Sequence, residues 1–598
     1  MTEQFAADGN AMPKLESARD PFTLEVIKNA LAAAADEMAA TVQRTARSFV
    51  VKEALDYSTA LFVADGQLIA QGTCLPLHMG AMPYAILAAQ GAFAGEMRPG
   101  DIYVTNDPWD GSTHLPDVVC IKPIFLGDRL VGYAATLAHQ TDIGGRVAGG
   151  NASDSTEIYQ EGLRLPPVRL YDGGEPCLSI FRIIERNVRV PETVLGDIRS
   201  EIAACNIGER QLLALIEKFG LADFEAYCEE LLDYAERFTR SEIAKLPDGA
   251  YQFTDYIDND GIDPGPITFK VKITVGGEEM TVDFEGTSPQ VKGAINSVYP
   301  FTASAAWACI RSILDAGIPN NAGYFRPIKV LTPERSIVNC APPSPVAARG
   351  LAGFRIADTV MGALAQIVPH LVPASGGSSP DAGVSLGGYY DDGKPFVYLE
   401  FLVGSWGGGP WRDGMDACTG IIVNYSNTPV ELLESEQPLL VECYGFIEDT
   451  GGPGEYRGGL TLTRHLRFLE DEGIIQVRSD RRDVAPYGLA GGADGTPSDV
   501  RIRRAKGGIE PQPSKFLTTL RRDDVLEVRL ASGGGYGDAL ARDPERVLAD
   551  ICEEKITIAH AAAAYGVVIT GTPPSLDTEA TAKLRAKRRE RELSAPSP

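Results

Sequence analysis

Residues 101–150 read DIYVTNDPWDGSTHLPDVVCIKPIFLGDRLVGYAATLAHQTDIGGRVAGG. Two strand-like runs, DIYVT and DVVCIKPIF, flank NDPWDGSTHLP, a loop made of turn-forming residues. The segment GDRLVGYAATLAHQTDIGG reads as a further hairpin whose second strand ends at His139. The chain holds six histidines in 598 residues, and His114 and His139 both fall in this stretch, with His78 just upstream. Asp107, Asp110, Asp117 and Asp142 crowd the same segment. Adjacent predicted strands thus present histidines at or near their ends, where a rigid scaffold meets its loops.

Scarce imidazoles beside carboxylates are what a divalent-metal site requires. The HxxD spacing of His114 and Asp117, at a loop-to-strand junction, lets both side chains turn toward one centre. His139 comes from the neighbouring predicted strand and Asp56 from the entrance of an earlier one. Two nitrogens and two carboxylates suit zinc, manganese or iron and leave a position open for water or substrate. The plainer reading, in which each histidine caps a loop, uses the same residues. His78, in the turn LPLHMG, and Asp142 are candidates for orienting or acid–base work beside the metal.

Working outward, the fold class is α+β and multi-lobed. Residues 1–20 read as a disordered lead-in. An N-terminal metal-binding region over 21–246 opens with a helix at Asp20-Pro21, an N-cap followed by proline at the first helical position. STALFVADGQLIAQ is a hairpin closed by Asp65-Gly66. Residues 151–190 read as irregular, and two or three helices follow to about residue 246. A central α+β region over 247–371 contains the hairpin ITFKVKITVGGEEMTVDFEG, with Gly276-Gly277 as its turn. Residues 372–598 are strand and glycine-rich turn, ending in a helix–strand segment and the basic tail EATAKLRAKRRERE.

Composition excludes several classes. The net charge of −26 opposes general nucleic-acid binding, which needs a basic face. No run approaches the roughly 18 apolar residues of a membrane span, and the N-terminus has no secretory pattern. Ten cysteines are scattered singly, which reads as reduced thiols of a cytoplasmic protein. There is no P-loop, no Rossmann fingerprint and no GxSxG elbow. The glycine runs at 407–409 and 533–537 could cradle phosphate, but tight turns explain them more simply. Arg478, Arg481 and Arg482 suit either a substrate clamp or a structural ion-pair cluster.

Segments spread from about residue 20 to 550 carry a family resemblance: DPFTLEVIKNAL, DYSTALFVADGQLIAQG, LPLHMGAMP, GDIYVTNDPWDGSTHLPDV, AHQTDIGG, DFEGTSPQVKGAINS, PNNAGYFRPIKV, FRIADTVMGALAQ, PYGLAGG and SGGGYGDALARDPERVLADI. In this order they resemble the hydantoinase B/oxoprolinase family, the beta-type subunits of ATP-dependent hydantoin- and lactam-opening enzymes. The resemblance implies a hydantoinase A-type partner that binds ATP and magnesium and phosphorylates the substrate. It implies a metal site whose ligands map onto Asp56, His114, Asp117 and His139, and an (αβ)2 or larger hetero-oligomer. The family also contains acetone- and acetophenone-type carboxylase subunits. The chain ends soon after residue 590 without a long extension or a fused A-type half, which points toward a bacterial amidohydrolase built from separate subunits.

The expectation is therefore an ATP-dependent cyclic-amide hydrolase subunit, zinc foremost among the metals. It would complete ring opening with metal-activated water or bicarbonate. A ketone carboxylase subunit and a non-catalytic structural subunit are the alternatives.

Overall fold

The computed structural model describes residues 19–376 and 382–594. The lead-in expected over residues 1–20 lies, up to residue 18, outside them. The first helix spans Pro21–Thr45, and the Asp20 side chain accepts the Thr23 N–H, satisfying one of the amides a helix start leaves free. Its apolar face, including Leu24, Ile27, Leu31, Met38 and Val42, is buried. Each such side chain contributes about 1.5–3 kcal/mol.

That face covers one side of a seven-stranded sheet in the order β2-β1-β5-β4-β3-β6-β7. The strands are β1 (Tyr57–Val63), β2 (Leu68–Gln71), β3 (Ile102–Thr105), β4 (Asp117–Leu126), β5 (Arg129–His139), β6 (Val168–Asp172) and β7 (Glu175–Pro176). Both faces are covered, so β4 and β5 are apolar on alternate residues in both directions. Val118, Cys120, Ala134 and Ala138 join the core under the first helix and the long helix Pro191–Phe219. Val119, Ile121, Tyr133 and Leu137 pack on the other side, with Met82, Ile86 and Ala89 of the helix Met82–Ala92. Residues 178–187, expected to be irregular, form a helix with one buried residue, Ile184.

The central region builds a second sheet from β8 (Gly249–Ile257), β9 (Ile267–Gly276), β10 (Glu279–Asp283) and β11 (Ile328–Leu331), ordered β11-β10-β9-β8. Gly276 pairs with Glu279, so the hairpin turns on Gly277-Glu278, one residue beyond Gly276-Gly277. Gly277 carries the positive φ of +59°. The buried helices Tyr299–Arg311 and Gly350–Ile367 pack in this region. One continuous core runs from Leu24 to Tyr425, so the N-terminal and central regions share it.

A separate core lies in the C-terminal region. Its first sheet is ordered β13-β12-β16-β19 and its second β14-β15-β20-β17-β18. The strands are β12 (Ala382–Tyr389), β13 (Pro395–Leu402), β14 (Leu439–Ile447), β15 (Thr461–Phe468), β16 (Glu472–Ser479), β17 (Asp499–Arg503), β18 (Ile509–Pro511), β19 (Lys515–Arg521) and β20 (Val525–Arg529). The glycine runs lie backbone against backbone: Gly408 N–H donates to the Gly534 carbonyl at 2.8 Å, and Gly452 N–H to Gly533 at 2.8 Å. A Cβ on Gly534 would stand 2.3 Å from the Tyr487 carbonyl oxygen. These glycines are occupied by chain packing.

A buried ionic cluster ties this region to the centre. Arg355, in the Gly350–Ile367 helix, meets Asp480 at 2.7 Å and Asp255 of β8 at 3.0 Å. Arg481 meets Asp255 at 2.8 Å and Asp358 at 2.7 Å. Arg481 is therefore structural. Arg482 contributes its backbone N–H to Asp258 at 2.9 Å.

Candidate metal centre

β1, β5 and β4 lie side by side, and their ends at one edge carry the candidate ligands. Asp117 opens β4 and pairs directly with His139, the last residue of β5. Directly opposed residues in an antiparallel pair point to the same face, so this register alone brings the two together; a one-residue slip would send them to opposite faces. Asp56 sits immediately before β1, and its carbonyl accepts the His139 N–H at 3.0 Å. His114 reaches in from the loop before β4. The ligand atoms of His114, Asp117 and His139 all lie within 4.8 Å of one another. These three and Asp56 are buried.

The hydrogen bonding tests whether a cation fits. His114 Nδ1 lies 2.9 Å from the Ala347 carbonyl, which can only accept, so Nδ1 carries the proton. In the neutral ring Nε2 is then a bare lone pair, and it faces Asp117 Oδ1 at 3.2 Å. Burial pushes the His114 pKa down to about 4, so no second proton bridges the two acceptors at neutral pH. Acceptor against acceptor in a buried site calls for a cation between them. Asp56 is also poorly satisfied: its buried carboxylate oxygens make no well-formed hydrogen bond among the described residues, with only the Tyr425 hydroxyl beside them. Burial, reinforced by Asp117, pushes its pKa up to about 8. Burial and then His114 lower the His139 pKa, keeping that ring neutral as a metal ligand must be.

Asp117 behaves differently. Burial alone would raise its pKa, but Arg349 and His114 more than offset that and hold it well below the usual range. Arg349 Nη2 donates to Asp117 Oδ2 at 2.6 Å, while its Nε donates to Thr113 Oγ1 at 2.6 Å. Thr113 in turn donates to Asp117. Glu161 accepts the N–H groups of Val346 and Ala347 at 2.9 and 3.0 Å, fixing the segment that offers its carbonyl to His114.

His78 also belongs to this cluster. The Ser58 hydroxyl donates to the Leu75 carbonyl at 3.3 Å and accepts from His78 Nδ1 at 3.1 Å. His78 Nε2 is left without a hydrogen-bond partner, 3.8 Å from Asp117 Oδ2. Burial lowers its pKa to about 4. Asp142 is engaged elsewhere. Its oxygens accept from the N–H groups of Gly144, Gly149 and Arg189, at 3.2, 2.9 and 2.7 Å, and from Arg189 Nη1 at 3.0 Å. Those four donors make it an organiser of the loop after β5.

Sequence reasoning missed the far wall. A cavity of about 20 Å³ beside His114 is lined by Arg349, Gly350, Tyr425, Phe401, Gly383 and Arg478, among others. Of the three arginines in the RSDRRD segment (residues 478–483), only Arg478 lines it. No local signal marks Arg349, which stands in a proline-rich loop just before a helix.

Comparison with known proteins shows where this architecture recurs. The sequence profile described as hydantoinase B/oxoprolinase matches residues 20–539. A chain from Pseudomonas sp. strain NS671, provisionally named as the B component of a D-/L-hydantoinase, is 35% identical over 584 residues, covering 95% of this chain and 98% of that one. The beta chain of the Pseudomonas jessenii caprolactamase is 33% identical over 580 residues, covering 95% and 99%. The crystal structure of the ATP-dependent caprolactamase from Pseudomonas jessenii superposes with a TM-score of 0.89 at 32% identity, over 95% of this chain and 100% of that one. Nucleotide-free acetone carboxylase shares the fold, with a TM-score of 0.91 at 18% identity over 97% and 84%.

Proposed function

The chain belongs to the hydantoinase B/oxoprolinase family, and from that membership we propose that it is the beta-type subunit of an ATP-dependent cyclic-amide hydrolase. An A-type partner binds ATP and phosphorylates the carbonyl oxygen of a lactam- or hydantoin-like ring; this chain completes the opening. Full-length similarity to the beta chain of a caprolactamase supports the amide substrate class. The observation that carries a reaction at this site is the contact of His114 Nε2 with Asp117 Oδ1, two buried groups that a bound cation would reconcile.

His114, His139, Asp117 and Asp56 would hold a divalent cation, zinc foremost. When bound, it supplies Lewis-acid polarisation and activation of water at neutral pH. Ala347 fixes the His114 tautomer so that Nε2 faces inward. Arg349 and Thr113 hold the Asp117 carboxylate in one orientation. His78, with Nδ1 bound to Ser58, keeps Nε2 neutral and unbonded, a proton acceptor beside Asp117. Burial of the whole cluster excludes bulk water.

The test is reconstitution with an A-type ATPase partner, measuring ADP release and ring-opened product with lactams and hydantoins, and separately with ketones plus bicarbonate. ATP-dependent lactam opening that is lost in His114→Ala, together with its bound metal, is expected. Ketone carboxylation without lactam opening would replace this reading with the carboxylase one.

A further inference from the structure

Arg478 is the most exposed to question of all the buried charges. It is 3% accessible, and no carboxylate among the described residues lies within ion-pair distance of it. Its Nη1 donates to the Asn151 carbonyl at 3.1 Å and to Ser385 Oγ at 3.3 Å, while Nη2 has no hydrogen-bond partner. Burial and the nearby Arg349 push its pKa down to about 9. An unpaired guanidinium out of water is costly and is ordinarily matched by an anion. Arg349, on the same cavity, already has Asp117. Arg478 has none.

The surroundings are built to hold it there. Gly383 of β12 pairs with Phe401 of β13 on one side and Arg478 of β16 on the other. The guanidinium crosses over Gly383 and stands 5.1 Å from the centre of the Phe401 ring. A Cβ on Gly383 would meet its Nε, Cζ and Nη2 at 2.7, 2.8 and 2.9 Å, so only glycine leaves the space. On the same cavity begins the 18-residue helix Gly350–Ile367, which no side chain caps. The Leu351 and Gly353 amides are already turned onto the Ala348 and Arg349 carbonyls, so what this start offers an anion is chiefly its aligned dipole. The cavity, at about 20 Å³, admits a head group of a few atoms, not an entire substrate.

We propose that Arg478, laid across Gly383 and facing the uncapped start of the Gly350–Ile367 helix, is the receptor for a small oxyanion taken up beside the His114–Asp117–His139 cluster. The chemistry is shared by a free carbonate-type ion and by a phosphoryl group on an activated substrate. The inference rests on the functional reading above only in making that oxyanion a reactant. Gly383 is a positioning residue, acting through Arg478.

Isothermal titration calorimetry tests this on the full chain loaded with zinc, at fixed ionic strength, without ATP or lactam. Bicarbonate and inorganic phosphate are the two probes. Wild type binds at least one of them: tighter phosphate points to a phosphoryl source, tighter bicarbonate to a free carbonate-type ion. Loss of a charge-assisted contact from Nη2 weakens binding about 10- to 100-fold in Arg478→Met. Gly383→Ala weakens it similarly with the arginine still present, and Arg478→Lys falls between. Zinc content, read by mass spectrometry, stays at the wild-type level in all three. If Arg478→Met fails to fold, Gly383→Ala and Arg478→Lys carry the test. Wild type binding neither probe, or zinc-replete variants binding within twofold of wild type, overturns the proposal. Oxyanion binding that depends on Arg478 without any lactam opening overturns the cyclic-amide reading instead.

Discussion

Metal uptake at this site should release one proton, and Asp56 should be its source. The imidazoles of His114 and His78, with pKa values near 4, hold no second proton above about pH 5. Asp117 is already ionised, held so by Arg349. Asp56 alone differs: burial and Asp117 raise its pKa to about 8, so below that pH the metal-free site keeps a proton that a cation must displace. Above it, there is nothing to displace. The Asp56 contribution to affinity therefore rises tenfold per pH unit from about 5 to about 8 and levels off beyond. At pH 7 the displacement costs about 1.4 kcal/mol, one pKa unit, and at pH 6 about twice that.

Calorimetry in buffers of different ionisation enthalpy counts the proton directly, with chelator competition supplying the affinities. About one proton from Asp56 is expected at pH 6, falling to half of one near pH 8 and almost none at pH 9, where any proton counted comes from metal-bound water instead. Asp56→Asn should flatten the pH dependence while lowering the plateau affinity. His114→Ala should lower affinity without changing the proton count. Two protons released at pH 6 would mean that an imidazole is charged in the metal-free site. None at pH 6 would mean that Asp56 is already ionised or is no ligand. Either result refutes the reasoning.

Three further outcomes follow from the packing. Arg349→Met strips Asp117 of its cation and should cost the metal-free protein about 3–5 kcal/mol in urea unfolding, and less with zinc bound, because the metal compensates the carboxylate. Arg481→Met leaves Asp255 and Asp358 each without one of its arginine contacts and should lower the first unfolding midpoint by a comparable amount; an unchanged midpoint would dismiss the cluster as a tie between sheets. Gly534→Ala drives a Cβ to within 2.3 Å of the Tyr487 carbonyl, so thermal unfolding should come earlier, by the ~1–3 kcal/mol or more that overpacking costs.

The N-terminal sheet was legible because its signals are local. Asp20-Pro21 caps its own helix, Asp65-Gly66 closes its own hairpin, and near-continuous apolar runs mark β4 and β5. The candidate ligands were legible for a related reason: they are rare residue types standing at the ends of those strands, and the β4–β5 register brings Asp117 opposite His139. The helix at 178–187 was missed although LSIFRIIERN carries Ile180, Phe181 and Ile184 at helical spacing: it is ten residues long, lies between Pro176 and Pro191, and buries only Ile184 fully. The role of Asp142 was not legible, because a carboxylate next to glycines suits a loop organiser as well as a proton carrier, and its four donors come partly from Arg189, 47 positions away.

The arginines were illegible for a deeper reason. Arg349 lies 232 positions from the carboxylate it binds. Arg478 donates to the Asn151 carbonyl from 327 positions away, and Gln476 of the same strand reaches that carbonyl at 2.7 Å. No periodicity or spacing encodes contacts at that range; docking of separately stabilised elements does. The consequence is functional. Strand ends of the first sheet and the loop before β4 supply the candidate metal ligands, the turn before the Gly350–Ile367 helix supplies Arg349, and β16 supplies Arg478. The ionic cluster of Arg355, Arg481, Asp255, Asp358 and Asp480 joins that helix to the end of β16. Loosening it would separate Arg478 from the metal ligands before it unfolded the first sheet. Arg481→Met should then lose oxyanion binding while retaining zinc, a split that neither a fold-wide collapse nor damage to the ligands themselves would produce.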